Sequence, residues 1–186
     1  FPVALMILAM VTPNPVSHRF KDLFTGNLEL FRQEKFNQGI YFNGLQFRLL
    51  QWKFVYQLLN EHHSWITGLS PGDAQFYLNK KYIETNMYMG KPGTSDHGFL
   101  NYHTHNEFLQ VLLETGIIGL MFFLLICFSL ITMDVKTTNL AYRILITLLL
   151  LYSFTDAVLE TQYGLVIFIF FPLFIFLSTS KNQLLL

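Results

Sequence analysis

Between Glu114 and Asp134 the chain runs TGIIGLMFFLLICFSLITM without a charge, and between Glu160 and Lys181 it runs TQYGLVIFIFFPLFIFLSTS, again without one. A bilayer core takes roughly 20 apolar residues in helical form, so each run is long enough to cross it. A third run, ILITLLLLYSFT between Arg143 and Asp156, is shorter. It reaches full thickness only if Arg143 snorkels and Asp156 lies at the opposite interface. The composition agrees with a bilayer as solvent: 52% of the 186 residues are hydrophobic and only 13% are charged. The expected fold is an all-α polytopic membrane protein with its last three helices at about 107–133, 140–157 and 162–179.

The chain opens FPVALMILAMVTPNP, an apolar run with no basic residue ahead of it. Pro13 and Pro15 stop this run short of a full crossing, so residues 1–12 read as the end of a longer transmembrane helix and not as a signal peptide. We therefore expect a C-terminal part of a larger polytopic protein, with residues 13–106 forming a large loop. Lys136, Arg143 and Lys181 mark one side of the membrane, while the turn DAVLETQ carries no Lys or Arg. By the positive-inside rule that turn and the long loop face outward, and the C-terminus faces the cytoplasm. Net charge is zero with no basic run, which leaves nucleic acid without an electrostatic footprint. The lone Cys127 excludes an intrachain disulfide and reads as a small buried hydrophobe.

Within the loop, GLQFRLLQWKFVYQLLNEHH places Leu45, Leu49, Trp52, Val55, Tyr56 and Leu59 at helical spacing, predicting an amphipathic helix that ends near Asn60. SWITGLSPGD predicts a turn, Asp73 an N-cap for AQFYLNKKYIE, and TNMYMGKPGTSDHG an irregular, mobile loop.

The chemistry-bearing residues gather around HTHNEFLQVLLETGIIGL, His103 to Leu120. Thr104 and Glu107 fit a capping box, which makes His105 the first helical residue. There the positive end of the helix disfavours imidazolium, so His105 is either a neutral general base or a simple polar cap. Glu114 lies about half a turn from His105 and cannot orient it on a straight helix, yet a carboxylate at membrane depth is a functional candidate by default. Gly116 and Gly119 fit close helix packing. Arg48 falls within the arc of Leu45, Trp52, Val55 and Leu59, so its guanidinium needs an anionic partner. That partner is either a structural carboxylate, Asp156 or Glu160, or a phosphate held bidentately. Asp156 and Glu160 stand at i,i+4 at the outer end of the second helix, as an interface anchor or a functional pair. The His103/His105 spacing has no carboxylate motif beside it, so no metal is expected, and GLSPGD lacks the ending of a phosphate-binding loop.

Taken together, four stretches resemble the O-antigen ligase and polymerase superfamily of bacterial inner-membrane glycosyltransferases. They are Arg48 with Trp52, ITGLSPGD, the pattern H-N-x-x-L-x-x-L-x-E-x-G-x-x-G-L from His105 to Leu120, and LETQYG. The resemblance implies a GT-C-like all-α enzyme with a mostly helical periplasmic loop and an active site on the periplasmic face. It implies transfer of a glycan from an undecaprenyl-pyrophosphate carrier to an acceptor hydroxyl, with neither metal nor cofactor. His105 would be the base and Arg48 a pyrophosphate-binding cation, its second arginine being Arg19, Arg32 or one in the N-terminal part of the larger protein, with Asn106, Glu114, Trp52, Glu160 and Asp156 in support. Lipid A-core is the first acceptor to consider, and a growing polysaccharide or a protein hydroxyl are the alternatives. From outside this class comes a transporter, in which Glu114, Asp156 and Glu160 line an ion path beside a helix broken at Pro172.

Overall fold

The computed structural model describes Thr12, residues 28–137 and residues 139–183, and every regular element among them is helical. Apart from Thr12, the apolar opening expected to end a membrane helix lies outside the described residues. The chain divides into two compact units, one of residues 1–53 and 81–100, the other of residues 54–80 and 101–186.

In the first unit, a 3-10 turn at Leu28–Arg32 precedes the first part of α1 (Gly44–Glu61), which belongs to the second unit from Phe54 onward. Asn43 caps α1 by accepting the N–H groups of Leu45 and Gln46, and Gln46 Oε1 returns the favour to the Asn43 N–H, a reciprocal cap. The helix ends one residue beyond the predicted Asn60, but its buried face is rotated from the predicted one. Phe47, Leu50, Gln51, Phe54 and Leu58 are buried together with the predicted Val55 and Leu59, whereas Tyr56 is exposed and Leu45, Leu49 and Trp52 are only half-covered. Aromatic packing sets the rotation: Phe47 lies 5.0 Å from Phe99 and 6.2 Å from Tyr82, and Phe42 lies 5.6 Å from Phe99. Gln51 donates to the buried Tyr82 hydroxyl, whose pKa burial pushes up. The segment after Asn86, predicted to be loose, is closed on itself: Tyr88 donates to Asp96 Oδ2 at 2.6 Å, and the Phe99 N–H returns to the Tyr88 carbonyl.

The second unit carries most of α2 (Pro71–Glu84), then α3 (Glu107–Thr137), α4 (Leu140–Ser153), a 3-10 turn at Val158–Glu160, α5 (Gln162–Leu165), a π turn at Val166–Phe170 and α6 (Phe171–Gln183). Helices α3, α4 and α6 pack on one another around Phe123, Cys127, Tyr142, Ile146, Leu149 and Phe168. The π turn directly precedes Pro172, whose missing N–H breaks the regular ladder there. The N-cap of α2 is Ser70 and not Asp73: Ser70 Oγ accepts the Gly72 N–H, and Pro71 takes the first helical position, where its missing N–H costs nothing.

One helix among the described residues, Glu107–Met133, is long and apolar enough to cross a membrane, and only 22% of its most apolar window is buried. The apolar helices Leu140–Ser153 and Gln162–Ser178 are shorter than a full crossing.

Helix α3 is not straight. Gly116 sits at φ 67°, ψ −164°, and breaks the i→i−4 ladder. The four backbone groups this frees are satisfied by the turn before α2. Leu69 and Ser70 N–H donate to the carbonyls of Leu113 and Glu114, while Ile117 and Ile118 N–H donate to those of Trp65 and Ile66. A Cβ at Gly116 would run into the Ile66 carbonyl, and one at Gly68 into the Glu114 carbonyl. The glycine is thus required by a backbone from the turn inserted into the helix, not by helix–helix packing. Beyond the break, the uncharged residues 117–133 extend about 26 Å, so the membrane-length span of Glu107–Met133 includes the turns before Gly116.

Candidate active site at the start of the long helix

All the geometry that follows lies within the second unit. The N-cap of α3 is Asn106: its Oδ1 accepts the Leu109 N–H at 3.0 Å, and its Nδ2 donates to the Phe154 carbonyl. Two capping signals overlap in Thr-His-Asn-Glu, and Asn, the stronger cap, takes the position from Thr104. Thr104 is instead fully buried, its hydroxyl between the Asn106 carbonyl (2.9 Å) and Gln110 Oε1 (3.0 Å). Glu107, expected to close a capping box, reaches across the fold to accept the Leu159 N–H at 2.9 Å while 1% exposed.

His105 is therefore not the first helical residue. It stands two residues before α3 in the left-handed region, at φ 49°, a conformation uncommon outside glycine and one that clusters at functional sites. This backbone brings the His103 and His105 rings to 4.6 Å and turns both toward Asp156. His105 Nδ1 lies 3.3 Å from Asp156 Oδ1, and His103 Nε2 lies 3.7 Å from the same oxygen. The helix-terminus argument for a neutral His105 gives way to an orienting carboxylate. His103 Nδ1 accepts the His105 N–H at 3.3 Å, which assigns its ring proton to Nε2, facing Asp156. A His105 proton on Nδ1, shared with Asp156, leaves the basic lone pair on Nε2, the arrangement by which a carboxylate holds a catalytic imidazole in its working tautomer.

Asp156 is itself held. Tyr152 donates to Oδ2 at 3.0 Å and the Ala157 N–H to Oδ1 at 3.0 Å. Burial pushes its carboxyl up, but the Tyr152 hydroxyl, the Ala157 N–H and the two histidines outweigh that and hold it below the usual carboxylate range. The expected i,i+4 pairing of Asp156 with Glu160 on one helix face does not form, because α4 ends at Ser153 and Glu160 belongs to the separate 3-10 turn. Glu160 instead stands near the Glu114 carboxyl, which accepts from Gln110 Nε2 at 2.7 Å. Thr104, Gln110 and Glu114 form a continuous hydrogen-bonded chain beside the first two turns of α3.

A cavity of about 190 Å³ opens beside His103 and Asp156, bordered also by Tyr152, Thr161 and Tyr163. It is smaller than the roughly 300–1,000 Å³ of small-molecule pockets and suits a hydroxyl or a hydrated ion. A larger cavity of about 380 Å³, lined by Phe122, Ile126, Phe168 and Leu173 among others, holds no titratable group and has no part in the chemistry.

Of the residues singled out in the sequence, His105, Asn106, Glu114, Asp156 and Glu160 come together at this end of the second unit. Arg48 and Trp52 belong to the first unit, both half-buried on α1, and Arg19 lies outside the described residues. Sequence reasoning missed Tyr152 and Gln110. Their one local signal is spacing, four residues before Asp156 and four before Glu114, which is one helical turn. No protein-family model, curated protein or solved structure matches the chain.

Proposed function

We propose that the chain belongs to a polytopic inner-membrane glycosyltransferase of the O-antigen ligase and polymerase type. It moves a glycan from an undecaprenyl-pyrophosphate carrier to an acceptor hydroxyl at the periplasmic face, with lipid A-core as the preferred acceptor. The observation that carries this reading is the His105–Asp156 pair next to the N-terminal end of a membrane-length helix. Attack on an anomeric carbon needs a base for the incoming hydroxyl and charge stabilisation for the departing pyrophosphate. His105 Nε2 supplies the first, with Asp156 balancing the imidazolium that forms. Arg48 supplies the second, with Arg19 as its companion, on the strength of the sequence resemblance. A lipid-linked donor fits a site at a membrane surface, where the tail stays in the bilayer and the sugar projects outward.

The test is transfer from a carrier-linked donor by the full-length protein in proteoliposomes, with lipid A-core, free glycan and peptide offered separately. His105→Ala and Asp156→Ala should abolish the product with every acceptor, and chelation should leave transfer intact. Loss of transfer in chelator, restored by a divalent ion, would overturn the base mechanism. Orientation has its own test: Ser95→Cys in the exposed loop should label with an impermeant reagent in spheroplasts, and labelling only after lysis would reverse the topology.

The Glu114–Glu160 contact supports a second reading, an ion path through a transporter. That reading requires Glu114→Gln to abolish function while His105→Ala spares it.

A further inference from the structure

The sequence sets metal aside because no carboxylate lies near the H-x-H spacing, yet the fold supplies one from 51 residues away. One ligand atom each from His103, His105 and Asp156 lies within 4.8 Å of the other two. Tetrahedral zinc, with bonds of about 2.0–2.1 Å, places its ligand atoms roughly 3.3 Å apart. The Asp156 oxygen already stands 3.3 Å from His105 Nδ1 and 3.7 Å from His103 Nε2, so those two edges need little closing, and the third, between the rings, closes from a separation of at most 4.8 Å. The outer contacts of a metal site are present as well: Tyr152 and the Ala157 N–H fix the carboxylate. All three side chains are 24–33% exposed, and the adjoining cavity gives an ion a route in and room for water at a fourth position.

We propose that His103, His105 and Asp156 form a binding site for a divalent cation of borderline softness, zinc above all, and that the bound ion switches the His105 base off. Two imidazoles and one carboxylate select zinc-like ions over magnesium or calcium, which take oxygen ligands. The proton accounting is closed. Each ring stays neutral and keeps one proton, which moves to Nδ1 on His103 and to Nε2 on His105 as the ion takes the opposite nitrogen. Two hydrogen bonds are surrendered: the 3.3 Å bond from the His105 N–H to His103 Nδ1, and the 3.3 Å bond between His105 Nδ1 and Asp156, which the metal bonds replace. With its proton on Nε2, His105 offers a donor where transfer needs a lone pair. Zinc is therefore an inhibitor here and not a cofactor, which is consistent with transfer that survives chelation. The binding site stands by itself; the inhibition rests on the proposed glycosyl transfer.

The experiment is titration of the purified chain in detergent micelles with Zn²⁺, followed by calorimetry, and with Co²⁺, followed by its visible absorption. One saturable equivalent and a tetrahedral Co²⁺ spectrum are expected. His103→Ala should weaken binding by more than the roughly 10- to 100-fold that outer-contact changes cost, and Tyr152→Phe by less. His97→Ala, at an exposed histidine of the other unit, should bind as wild type, and circular dichroism should show the helices intact in every variant. Binding that is unchanged in His103→Ala, or spread unsaturably over the histidines, overturns the site. Activity separates the two proposals. If transfer is measured with and without Zn²⁺, wild type should lose it reversibly, and the ratio should rise toward one in His103→Ala. Stoichiometric binding at the site without inhibition of a measurable transfer refutes the switch. Binding lost in His103→Ala, alongside a wild type that transfers nothing to any acceptor, leaves the metal site standing and removes the glycosyltransferase reading.

Discussion

The two halves of α3 are one helix by name and two materials by composition. Up to Gly116 the helix is mixed and at least half-covered, with Asn106, Glu107 and Gln110 buried among Phe108, Leu109, Val111, Leu112 and Leu113 and its carboxylates and amides hydrogen-bonded. After Gly116 it is apolar and uncovered, with Ile117, Met121, Phe122, Leu125 and Phe128 all exposed. Burying polar groups is tolerable only where hydrogen bonds replace water, and exposing a row of large apolar side chains is tolerable only where the surroundings are apolar. The break at Gly116 is where one requirement hands over to the other. A turn held by four backbone hydrogen bonds marks the boundary, so the site is anchored to the membrane-length segment by backbone rather than by side-chain packing alone.

If the first half is the chemical one, His105→Ala should lower transfer by about 10²- to 10⁴-fold, the usual worth of a general base, with helicity unchanged. Arg48→Lys should impair donor binding despite keeping its charge, since an ammonium cannot reproduce a bidentate fork. Transfer by His105→Ala at a near wild-type rate would leave the polar half as mere scaffolding.

The boundary itself should be intolerant. Gly116→Ala forces a side chain into a left-handed position and against the Ile66 carbonyl, at a cost of at least about 1–3 kcal/mol. On the uncovered half, Leu124→Ala should fall within about 0.5 kcal/mol, as exposed substitutions do. Unfolding both in mixed micelles measures the contrast, and equal losses at the two positions would erase the division of the helix.

The extents of α1 and α3 were readable from the sequence because periodicity and length are local properties. What was not readable came from contacts across the chain. The break in α3 depends on Trp65–Ser70, some 50 residues earlier, and a glycine inside an apolar run carries no sign of which backbone will meet it. The rotated face of α1 was misjudged because Leu45 and Leu49 count as much as Phe47 and Leu50 in any periodic pattern. Only Phe42, Tyr82 and Phe99 decide between them. For His105 the sequence pointed to the end of a helix, whereas the group beside its ring is Asp156, 51 residues away.

Glu107 gives a smaller contrast with a sharper sign. Its buried carboxylate accepts the Leu159 N–H, so Glu107→Ala should cost about 1–3 kcal/mol by leaving that donor unsatisfied. Glu107→Gln keeps an acceptor oxygen in the same place and should be much milder. Equal losses would mean that the charge, and not the hydrogen bond, is what the first half of α3 requires.

The smallest effect is a pH dependence at Asp156. Its folded pKa lies below the unfolded value of about 4, so the carboxylate's contribution is fully present above that value and is lost as pH falls through the folded one. The group is open enough to solvent for screening to keep the effect modest. Unfolding followed from neutral pH into acid should show wild type losing stability relative to Asp156→Asn only at the acid end, with a constant gap between them above it. Tyr152→Phe removes the hydroxyl that does most to depress this carboxyl, so its acid loss should be shallower than that of wild type. If Tyr152→Phe follows the wild-type curve throughout, the phenol does not hold Asp156. The orientation of His105 would then depend on the Ala157 N–H and the imidazoles alone, and the polar half of the molecule would be less tightly built than its hydrogen bonds imply.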